Sequence, residues 1–416
     1  MDASGLVIVG AGQAGFQAAV SARAFGYDGA ITLVGAEPQP PYQRPPLSKA
    51  YLLGKLDEPG LALQRPDFYQ AKRIRLLTGT TVDAIDRGRR QVVLSDGASL
   101  PYEYLVLATG ARSRRLGIEG EGLKGVHYLR DLADAQALRR RIEQVENVVV
   151  VGGGFIGLEF AAVARERGLQ VTVLEAGARL MGRIVSPVLS GYFLDLHARH
   201  GVDVRLEAKV EQIEGEDAHV EGVRLRDCGR VPAQMVVIGA GAVPNSELAQ
   251  SCGLSAPGAV QVDDFLRTAD SRVFAIGDCA AYPHRGRHQR LESVQNAVDQ
   301  GKHVARVIGG DMAPYGAVPW FWSDQFGTRL QIAGLVQDAD ERIVRGDMNT
   351  GRFSVFSFLG GELQGVESVN CPADHVLARR LLAHPHAVTA QEAGDEGVDI
   401  KALANERING QGVPTA

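Results

Sequence analysis

The chain carries one short glycine pattern twice, and this duplication constrains its fold more than any other feature. The pattern occupies residues 10–15 (GAGQAG) and again residues 152–157 (GGGFIG), 142 positions later. Each copy follows a short apolar run typical of a buried parallel strand, Leu6–Val9 or Val148–Val151, and precedes a segment that reads as a helix. The duplication therefore predicts an α/β fold with two Rossmann-like domains that bind dinucleotides.

Each glycine of the pattern has its own role in such a turn. The first permits a tight turn, the second lets the backbone approach a pyrophosphate, and the third lets the helix pack closely against the strand. The N-terminus of the helix then presents free N–H groups to the phosphates. We assign these roles, in chain order, to Gly10, Gly12 and Gly15 in the first copy, and to Gly152, Gly154 and Gly157 in the second.

A carboxylate after the second strand of each unit is expected to bind ribose hydroxyls. Glu37 is the only carboxylate near that position in the first unit, and the alternative is a solvated loop glutamate. Glu175 ends the corresponding strand of the second unit, where it would repel the extra phosphate of NADP. The sequence therefore favours NADH (NAD+) at the second site, while Arg179 and Arg183 further along keep NADP as a minor alternative.

Two later segments complete a flavin site at the first unit. Residues 104–110 (YLVLATG) predict a buried strand that ends in a glycine turn and includes Ala108 and Gly110. Residues 273–278 (VFAIGD) predict another strand, which ends at Asp278. An aspartate at the carboxyl end of a buried strand faces the ligand crevice of an open α/β sheet, so Asp278 is expected to accept a hydrogen bond from a ribityl hydroxyl of FAD.

Composition narrows the class of protein further. The formal net charge of −5 gives no electrostatic case for nucleic acid. No run of 18 apolar residues and no charged segment followed by an apolar stretch is present, so we expect no membrane span, no signal peptide and a cytoplasmic protein. The four cysteines, at 228, 252, 279 and 371, lack metal-ligand spacing and predict no metal site.

The pattern changes after about residue 320. Phe353–Phe358 and Leu363–Val369 predict a hairpin around Gly360-Gly361, Ala373–Leu382 predicts a helix, and the polar chain beyond His386 predicts a loose tail with one short helix, Val398–Ala404. We therefore expect a C-terminal α+β domain at 320–416.

Several segments together resemble the FAD-dependent ferredoxin reductases of bacterial oxygenase and P450 systems. They are residues 40–52 (PPYQRPPLSKAYL), LATG, VVGGGFIGLE, VFAIGDCA, residues 292–297 (ESVQNA) and residues 319–325 (PWFWSDQ). The resemblance covers nearly the whole chain. It implies a glutathione-reductase-like fold in which an NAD-binding domain, at 113–243, interrupts the FAD-binding domain. The two FAD-binding segments are then expected at 1–112 and 244–319, and the C-terminal domain is expected to cover the flavin.

The resemblance also implies individual site residues. Those expected at FAD are Ala14, Arg44, Lys49, Val82, Arg130, Asp278 and Val294, with Trp320 near the flavin. Those expected at the nicotinamide nucleotide are Ile156, Glu159, Glu175, Arg183 and Gly241. Ala36 departs from relatives that carry an acidic residue there, which moves the expected ribose contact to Glu37.

Lys49 and Glu159 are the residues that we expect to act in catalysis. A lysine near the flavin would stabilise negative charge on the reduced ring, and in a dry site it needs a counter-ion such as Glu159. Electron transfer between NADH and flavin is cofactor chemistry, so no acid–base residue is required.

The electrons must then leave the flavin. Disulfide reductases of this fold use a pair of cysteines after the second strand, and peroxidases and oxidases use one, whereas no cysteine precedes Cys228 here. A 2Fe–2S ferredoxin that feeds a P450 or Rieske oxygenase is the expected acceptor. Arg285, Arg287, Arg290 and Lys302 form a candidate basic docking patch, or else scattered solvated charges. A flavin NADH oxidase, a rubredoxin reductase and an apoptosis-inducing-factor-like flavoprotein are the alternatives.

Overall fold

The computed structural model describes residues 4–227, 229–255 and 257–410, with the side chains of 409 and 410 left out, so Cys228 lies outside the described residues. The chain divides into two compact units. The first falls within residues 1–46, 56–114 and 242–317. The second falls within residues 47–55, 115–241 and 318–416, so the predicted NAD-binding and C-terminal domains both belong to it, together with the short segment 47–55.

The α-helices of the described residues are α1 (Gln13–Ala24), α2 (Glu58–Leu61), α3 (Pro66–Ala71), α4 (Leu132–Ile142), α5 (Phe155–Glu166), α6 (Pro187–Arg199), α7 (Glu247–Ser251), α8 (Val294–Ile308), α9 (Pro372–Leu381), α10 (Ala390–Gly394) and α11 (Ile400–Gly410). The strands are β1 (Gly5–Val9), β2 (Ile31–Val34), β3 (Ile74–Leu77), β4 (Val82–Asp86), β5 (Gln91–Leu94), β6 (Ser99–Leu107), β7 (Ala111–Ser113), β8 (Val126–Tyr128), β9 (Asn147–Val151), β10 (Gln170–Leu174), β11 (Asp203–Arg205), β12 (Val210–Glu216), β13 (His219–Leu225), β14 (Gly229–Pro232), β15 (Met235–Ile238), β16 (Ala242–Pro244), β17 (Val260–Gln261), β18 (Val273–Ala275), β19 (Ala280–His284), β20 (Arg287–Gln289), β21 (Trp320–Gln325), β22 (Thr328–Gly334), β23 (Glu341–Asp347), β24 (Arg352–Leu359) and β25 (Glu362–Val369).

A parallel sheet forms the centre of the first unit. Its strands follow the order β3-β2-β1-β6, with β18 on the other side of β6, and every one of these pairs is parallel. The strand β1 is buried at all five positions, as expected for a strand covered on both faces. Because parallel strands end at the same edge, the turns after β1, β6 and β18 meet there, and all three carry predicted flavin ligands.

The second unit repeats this arrangement. Its parallel sheet follows the order β11-β10-β9-β15-β8, with β9 in the place that β1 takes in the first unit. The second glycine pattern follows β9 directly, and α5 begins at Phe155. The duplication read from the sequence is therefore present as two parallel sheets, each with its central strand ending in a glycine turn.

An antiparallel sheet of order β21-β22-β25-β24-β23 forms the C-terminal part of the second unit. The predicted hairpin is confirmed, since β24 and β25 pair on either side of Gly360-Gly361. Both strands are buried along nearly their whole length, which explains why their sequences do not alternate cleanly between apolar and polar residues.

The expectation of a loose tail beyond His386 is wrong for residues 387–410, although the short helix predicted at Val398–Ala404 overlaps α11. The helices α10 and α11 cover this region, and Ile400 and Ala404 are buried in the core of the C-terminal part. Arg345, on β23, donates to the carbonyl oxygens of Asp395 at 2.7 Å and of Val398 at 2.9 Å. A distant strand thus satisfies the backbone of a segment whose polar composition alone predicts little structure.

Candidate dinucleotide-binding and redox site

The turn after β1 fits a bound pyrophosphate. Gly10 adopts a φ of 112°, and a Cβ there would lie 2.1 Å from the carbonyl oxygen of Ala108. A Cβ at Gly15 would lie 1.9 Å from the Gly10 carbonyl oxygen, whereas a Cβ at Gly12 would meet nothing within 4 Å. Gly12 is also the N-cap of α1 and provides no side-chain cap. The protein therefore leaves open space beside uncapped N–H groups, as a phosphate ligand requires.

The turn after β9 has the same geometry. Gly152 again adopts a φ of 112°, with a Cβ position 2.5 Å from the Gly239 carbonyl oxygen. A Cβ at Gly157 would lie 2.3 Å from the carbonyl oxygen of Gly152, and at Gly154 the nearest atom would be 4.0 Å away. Gly154 caps α5 without a side chain. In both turns, therefore, the first and third glycines of the pattern pack against backbone, whereas the second glycine faces open space.

Glu175 lies against the second glycine turn. One of its carboxylate oxygens accepts a hydrogen bond from the Gly153 N–H at 2.7 Å, and the other accepts from the Gly177 N–H, also at 2.7 Å. The structure thus brings the predicted ribose ligand to the turn that would bind the nucleotide. Two backbone donors hold the carboxylate in place.

Glu37 is held differently. Its carboxylate pairs with Arg44 and accepts a hydrogen bond from the Tyr42 hydroxyl. Glu37 and Arg44 are each about one-third exposed, at 33% and 34%. The structure therefore brings together two residues predicted separately at FAD, and it adds Tyr42, which the sequence did not indicate.

Asp278 lies in a one-turn 3-10 helix, Gly277–Cys279, directly after β18. The Gly277 N–H donates to Gln300 Oε1 at 2.7 Å, and a Cβ at Gly277 would lie 3.1 Å from the Ala14 Cβ. Gln300 is fully buried, and its amide nitrogen has no partner among the described residues. An unsatisfied buried donor beside Ala14 and the Asp278 turn fits a site that a polar ligand completes.

The other predicted flavin residues fall in both units. Gly110 follows β6 and accepts a hydrogen bond from the Asn245 N–H at 2.9 Å. Val82 begins β4 and Val294 begins α8, both in the first unit. The remaining three, Lys49, Arg130 and Trp320, belong to the second unit.

The predicted pair of Lys49 and Glu159 forms a close ion pair. Lys49 Nζ lies 2.6 Å from Glu159 Oε2, and Glu159 is only 3% exposed. Ser48 donates to the same oxygen at 2.6 Å, and Ser323 donates to Oε1 at 2.7 Å. Both serines were missed, although Ser48 precedes Lys49 and Ser323 lies in the PWFWSDQ segment, so their positions in the diagnostic segments were the available signal.

Trp320 lies in an aromatic and cationic cluster of the second unit. Its ring centroid is 5.2 Å from that of His375 and 5.7 Å from that of Trp322, and the Arg379 guanidinium sits 5.1 Å from it. Burial, and secondarily Arg379, lowers the pKa of His375 to about 4. His375 is therefore neutral at pH 7, and neither of its ring nitrogens has a partner among the described residues.

The predicted nicotinamide residues Arg183 and Gly241 are neighbours. Gly241 has a φ of 102°, and a Cβ there would lie 3.1 Å from the Arg183 guanidinium. Gln337 donates to the Arg183 carbonyl oxygen at 3.1 Å, which anchors this loop to the C-terminal part. Ile156, in the first turn of α5, is 44% exposed and leaves an apolar surface at the second glycine turn.

Glu367 anchors the loop that follows Arg183 at its C-terminal end, Ser186. Its Oε1 accepts from the Ser186 N–H at 2.8 Å, and Ser186 is the N-cap of α6. Glu367 is fully buried, and its Oε2 has no partner among the described residues. Burial raises the pKa of this carboxyl to about 7, against the opposing effect of the hydrogen bonds from Ser186.

Within residues 4–227, 229–255 and 257–410, no group of three or more His, Cys, Asp or Glu side chains could hold a metal ion. No helix in the described part of the chain is long and apolar enough to cross a membrane. Cys252, Cys279 and Cys371 carry free thiols.

Comparisons with known proteins agree with this architecture. The model of the family "Pyridine nucleotide-disulphide oxidoreductase" matches residues 4–301, and that of "Reductase C-terminal" matches residues 320–404. Rhodocoxin reductase from Rhodococcus erythropolis is 49% identical over 97% of this chain and 95% of its own.

Two solved structures are also similar throughout. The ferredoxin reductase for the CYP199A2 system from Rhodopseudomonas palustris is 43% identical, with a TM-score of 0.95 over 97% of this chain and 100% of that chain. The reductase in the covalent putidaredoxin reductase–putidaredoxin complex is 39% identical, with a TM-score of 0.93 over 97% of this chain and 98% of that chain.

The fold and the two glycine turns define an oxidoreductase that uses FAD and NAD(H). The chain belongs to the pyridine nucleotide-disulphide oxidoreductase family. The predicted fold class and cofactors are confirmed, and so is the predicted resemblance to ferredoxin reductases. When bound, FAD supplies the exchange between two-electron and one-electron chemistry, and the protein binds, orients and shields it.

Proposed function

We propose that this protein is an NADH-dependent flavoprotein reductase that passes electrons through FAD to a 2Fe–2S ferredoxin. The ferredoxin in turn feeds a P450 or Rieske oxygenase. Relatives named for ferredoxin partners, matched over nearly the whole chain, support this reading. The observation that carries it is the pair of glycine turns with equal φ at Gly10 and Gly152 and open space at Gly12 and Gly154.

Cysteine placement supports an external electron acceptor. No cysteine precedes Cys228 in the sequence, so the segment after β2 offers neither a redox disulfide nor a single redox thiol. Cys279 follows Asp278 but is fully buried, and burial raises the pKa of its thiol. A protonated, inaccessible thiol is a poor nucleophile, so electrons are expected to leave to another protein.

We assign the site residues as follows. FAD is bound by Gly10, Gly12, Ala14, Gly15, Glu37, Arg44, Val82, Ala108, Gly110, Asp278 and Val294. Lys49, Arg130 and Trp320 act at the flavin. Gly152, Gly154, Ile156, Gly157, Glu159, Glu175, Arg183 and Gly241 serve NADH, and Lys49 and Glu159 are the catalytic pair. We also propose the domain boundaries 112/113, 243/244 and 319/320 and a cytoplasmic location, which cell fractionation tests.

A stopped-flow titration of the FAD-loaded protein tests the function. Mixing with NADH under anaerobic conditions is expected to bleach the visible flavin absorbance, and NADPH is expected to do so far more slowly. Addition of an oxidised 2Fe–2S ferredoxin should then restore the flavin spectrum. Flavin that neither nucleotide bleaches would contradict the proposal.

The same experiment separates the alternatives. Rapid NADH consumption with oxygen and no added protein would identify a flavin NADH oxidase. Reoxidation by a rubredoxin but not by a ferredoxin would identify a rubredoxin reductase. Reduced flavin that persists with every iron protein and with oxygen would point to an apoptosis-inducing-factor-like binding role.

Glu175 is expected to select NADH over NADPH. Its carboxylate is fixed by the N–H groups of Gly153 and Gly177 and cannot easily turn away from a 2′-phosphate. A forced contact of like charges costs several kcal/mol. We therefore expect Glu175→Gln to lower the ratio of kcat/KM for NADH over NADPH by about ten-fold or more.

Glu166 provides the matched control, because it is an exposed glutamate at the far end of α5. Glu166→Gln should leave the nucleotide preference unchanged. Equal ratios in wild type and Glu175→Gln would show that Glu175 does not read the ribose.

A further inference from the structure

A row of buried polar side chains leads away from Glu159, and the roles assigned above do not use it. Ser323 donates to Glu159 Oε1 at 2.7 Å, Gln325 Nε2 lies 3.1 Å from Ser323 Oγ, and His197 Nε2 lies 2.8 Å from Gln325 Oε1. Ser323 and His197 are fully buried and Gln325 is 1% exposed. All of these residues belong to the second unit. We call this row the Glu159 relay.

The ion pair with Lys49 sets the direction of every bond in the Glu159 relay. An ionised carboxylate can only accept hydrogen bonds, so the single hydroxyl hydrogen of Ser323 points to Glu159. Ser323 must then accept from the amide nitrogen of Gln325. That places the amide oxygen of Gln325 opposite His197, and an amide oxygen accepts only. His197 must therefore carry its hydrogen on Nε2.

The surroundings of His197 agree with a neutral ring in that tautomer. Its Nδ1 has no hydrogen-bond partner among the described residues, as suits the unprotonated nitrogen. Burial is the main cause that lowers the pKa of His197 to about 4, and the hydrogen bond to Gln325 opposes it. The Phe326 ring packs edge-on at 5.1 Å between centroids. His197 is therefore a neutral donor at pH 7, at the end of the relay.

The relay matters because of what Glu159 holds. Its Oε2 already accepts from Lys49 and Ser48, and its Oε1 has Ser323 as its donor. A buried carboxylate with one unsatisfied oxygen is costly and free to turn or to draw in water. With the relay intact, both oxygens are occupied, and the orientation of the carboxylate that faces Lys49 is determined.

We propose that Ser323, Gln325 and His197 are positioning residues of the reductase, which hold Glu159 as an oriented acceptor for Lys49. The effect on Lys49 rests on the proposed function, because there Lys49 acts at the flavin. The directed hydrogen bonds rest only on the residues of the relay.

The first experiment is ¹⁵N NMR of histidine-labelled, FAD-loaded wild-type protein, titrated from about pH 8 to about pH 5. The chain has 10 histidines, so the His197 signals are assigned by their loss in His197→Gln. We expect a neutral ring with hydrogen on Nε2 throughout. Hydrogen on Nδ1, or titration near the ordinary pKa, would overturn the proposal. Because this result needs no altered relay, it decides the proposal even if the variants fail to fold.

Glu159→Gln extends the test. An amide at this position can donate to Ser323, which lets every bond of the relay reverse. Hydrogen on Nδ1 of His197 should then become populated. A tautomer that stays entirely Nε2–H in folded Glu159→Gln would show that Glu159 does not set the direction.

The second experiment is kinetic and uses Gln325→Leu, which removes the middle of the relay. We expect the rate constant for flavin reduction at saturating NADH to fall by about ten-fold, the effect of losing a hydrogen bond that supports a charged group, with the Kd for NADH unchanged. Asp324→Asn is the matched control, because Asp324 neighbours both relay residues on the same strand but pairs with the exposed Arg329. An unchanged rate constant in folded Gln325→Leu would overturn the positioning role.

The two experiments keep the two proposals separate. If NADH fails to bleach wild-type flavin, the proposed function fails, while the His197 tautomer still decides the hydrogen-bond directions. If the flavin is bleached normally but His197 carries its hydrogen on Nδ1, the relay fails and the proposed function stands.

Discussion

At the scale of single residues, buried charge is the feature that most limits substitution. The Glu159 carboxylate, at 3% exposure, has one cationic partner at 2.6 Å in Lys49. Breaking a buried pair from one side leaves an uncompensated charge, whereas replacing both members is often tolerated. The pair is therefore expected to respond very differently to single and to double substitution.

Lys49→Met should lower the free energy of unfolding by about 3 kcal/mol, because it leaves Glu159 ionised and buried without a cation. Adding Glu159→Gln to that variant should recover most of the loss. Urea unfolding of the three proteins measures both effects. Arg205→Met, which breaks an exposed pair with Asp203 in the same unit, should cost less than about 1 kcal/mol. A Lys49→Met effect no larger than this control would contradict the prediction.

The relay partners of Glu159 also show what sequence reading missed at this scale. Lys49 and Glu159 are 110 positions apart. The sequence analysis predicted that they pair, because a lysine in a dry site requires a counter-ion. Ser48, Ser323, Gln325 and His197 form no pattern of spacing along the chain. Hydroxyl and amide side chains can face solvent as readily as a carboxylate does. Only the folded chain therefore shows which of these polar side chains are buried together.

At the scale of elements, the turn between strand and helix contains two kinds of glycine. Gly10 and Gly152 adopt a φ of 112° and contact backbone, whereas Gly12 and Gly154 have ordinary φ values and face open space. An alanine is compatible with the fold at the second kind of position only. Loss of ligand binding without loss of folding is therefore expected there.

Gly12→Ala should leave the apoprotein as stable as wild type or slightly more so, but weaken FAD binding by about ten-fold or more, since the methyl group takes the space of the pyrophosphate. Gly154→Ala should retain FAD and raise the KM for NADH. Each variant is the control for the other, measured by flavin content and by steady-state kinetics. Full FAD content in Gly12→Ala would contradict the assignment of the first turn.

The strand β25 carries the group with the clearest expected pH effect. Burial raises the pKa of Glu367 from 4.5 to about 7, so the folded state binds a proton that the unfolded state releases above about pH 4.5. The contribution of Glu367 to stability is thus fully present below pH 4.5 and is lost as the pH rises through 7. A difference of this size corresponds to about 3 kcal/mol.

Glu367→Gln should remove this dependence. The amide oxygen can still accept from the Ser186 N–H, and no proton is released on unfolding. We expect the variant to match wild type near pH 4.5 and to exceed it by up to about 3 kcal/mol at pH 8. Urea unfolding at both pH values measures the difference in the free energy of unfolding. Because both proteins contain the same buried histidines, comparing them at the same pH cancels the contribution of those histidines. Parallel stability curves for the two proteins would contradict the raised pKa.

At the scale of the whole molecule, the candidate basic patch of Arg285, Arg287, Arg290 and Lys302 is set against a net charge of −5. The tip of the hairpin β19–β20 carries Arg285 and Arg287, both exposed. Arg290 pairs with Glu292 at 2.6 Å, and this carboxylate partly neutralises the positive charge that Arg290 would contribute to the patch. A local basic surface of this kind steers an acidic partner and weakens with salt.

Cytochrome reduction through an added acidic ferredoxin should therefore slow several-fold as ionic strength rises to the physiological range. A variant with Arg285→Gln and Arg287→Gln should start slower and depend less on salt. Arg89→Gln, an exposed arginine elsewhere in the first unit, is the control and should behave as wild type. A wild-type rate independent of ionic strength would rule out the patch.

The sequence by itself determined the duplicated α/β architecture, its two dinucleotides and the lack of an early redox cysteine. The physical reason is locality: a strand, a glycine turn and a helix interact within some twenty residues, so a short pattern suffices to specify them. The positions of β1 and β9 agree with the sequence reading to within one residue for this reason.

Only the tertiary structure decided which distant side chains meet. It folded the polar tail beyond His386 through carbonyl contacts from Arg345, and it buried β24 and β25 on both faces. It also joined Glu159 to Ser323, Gln325 and His197 through consecutive hydrogen bonds. These contacts depend on burial and on hydrogen-bond partners far apart in the chain, and neither property is encoded in local spacing.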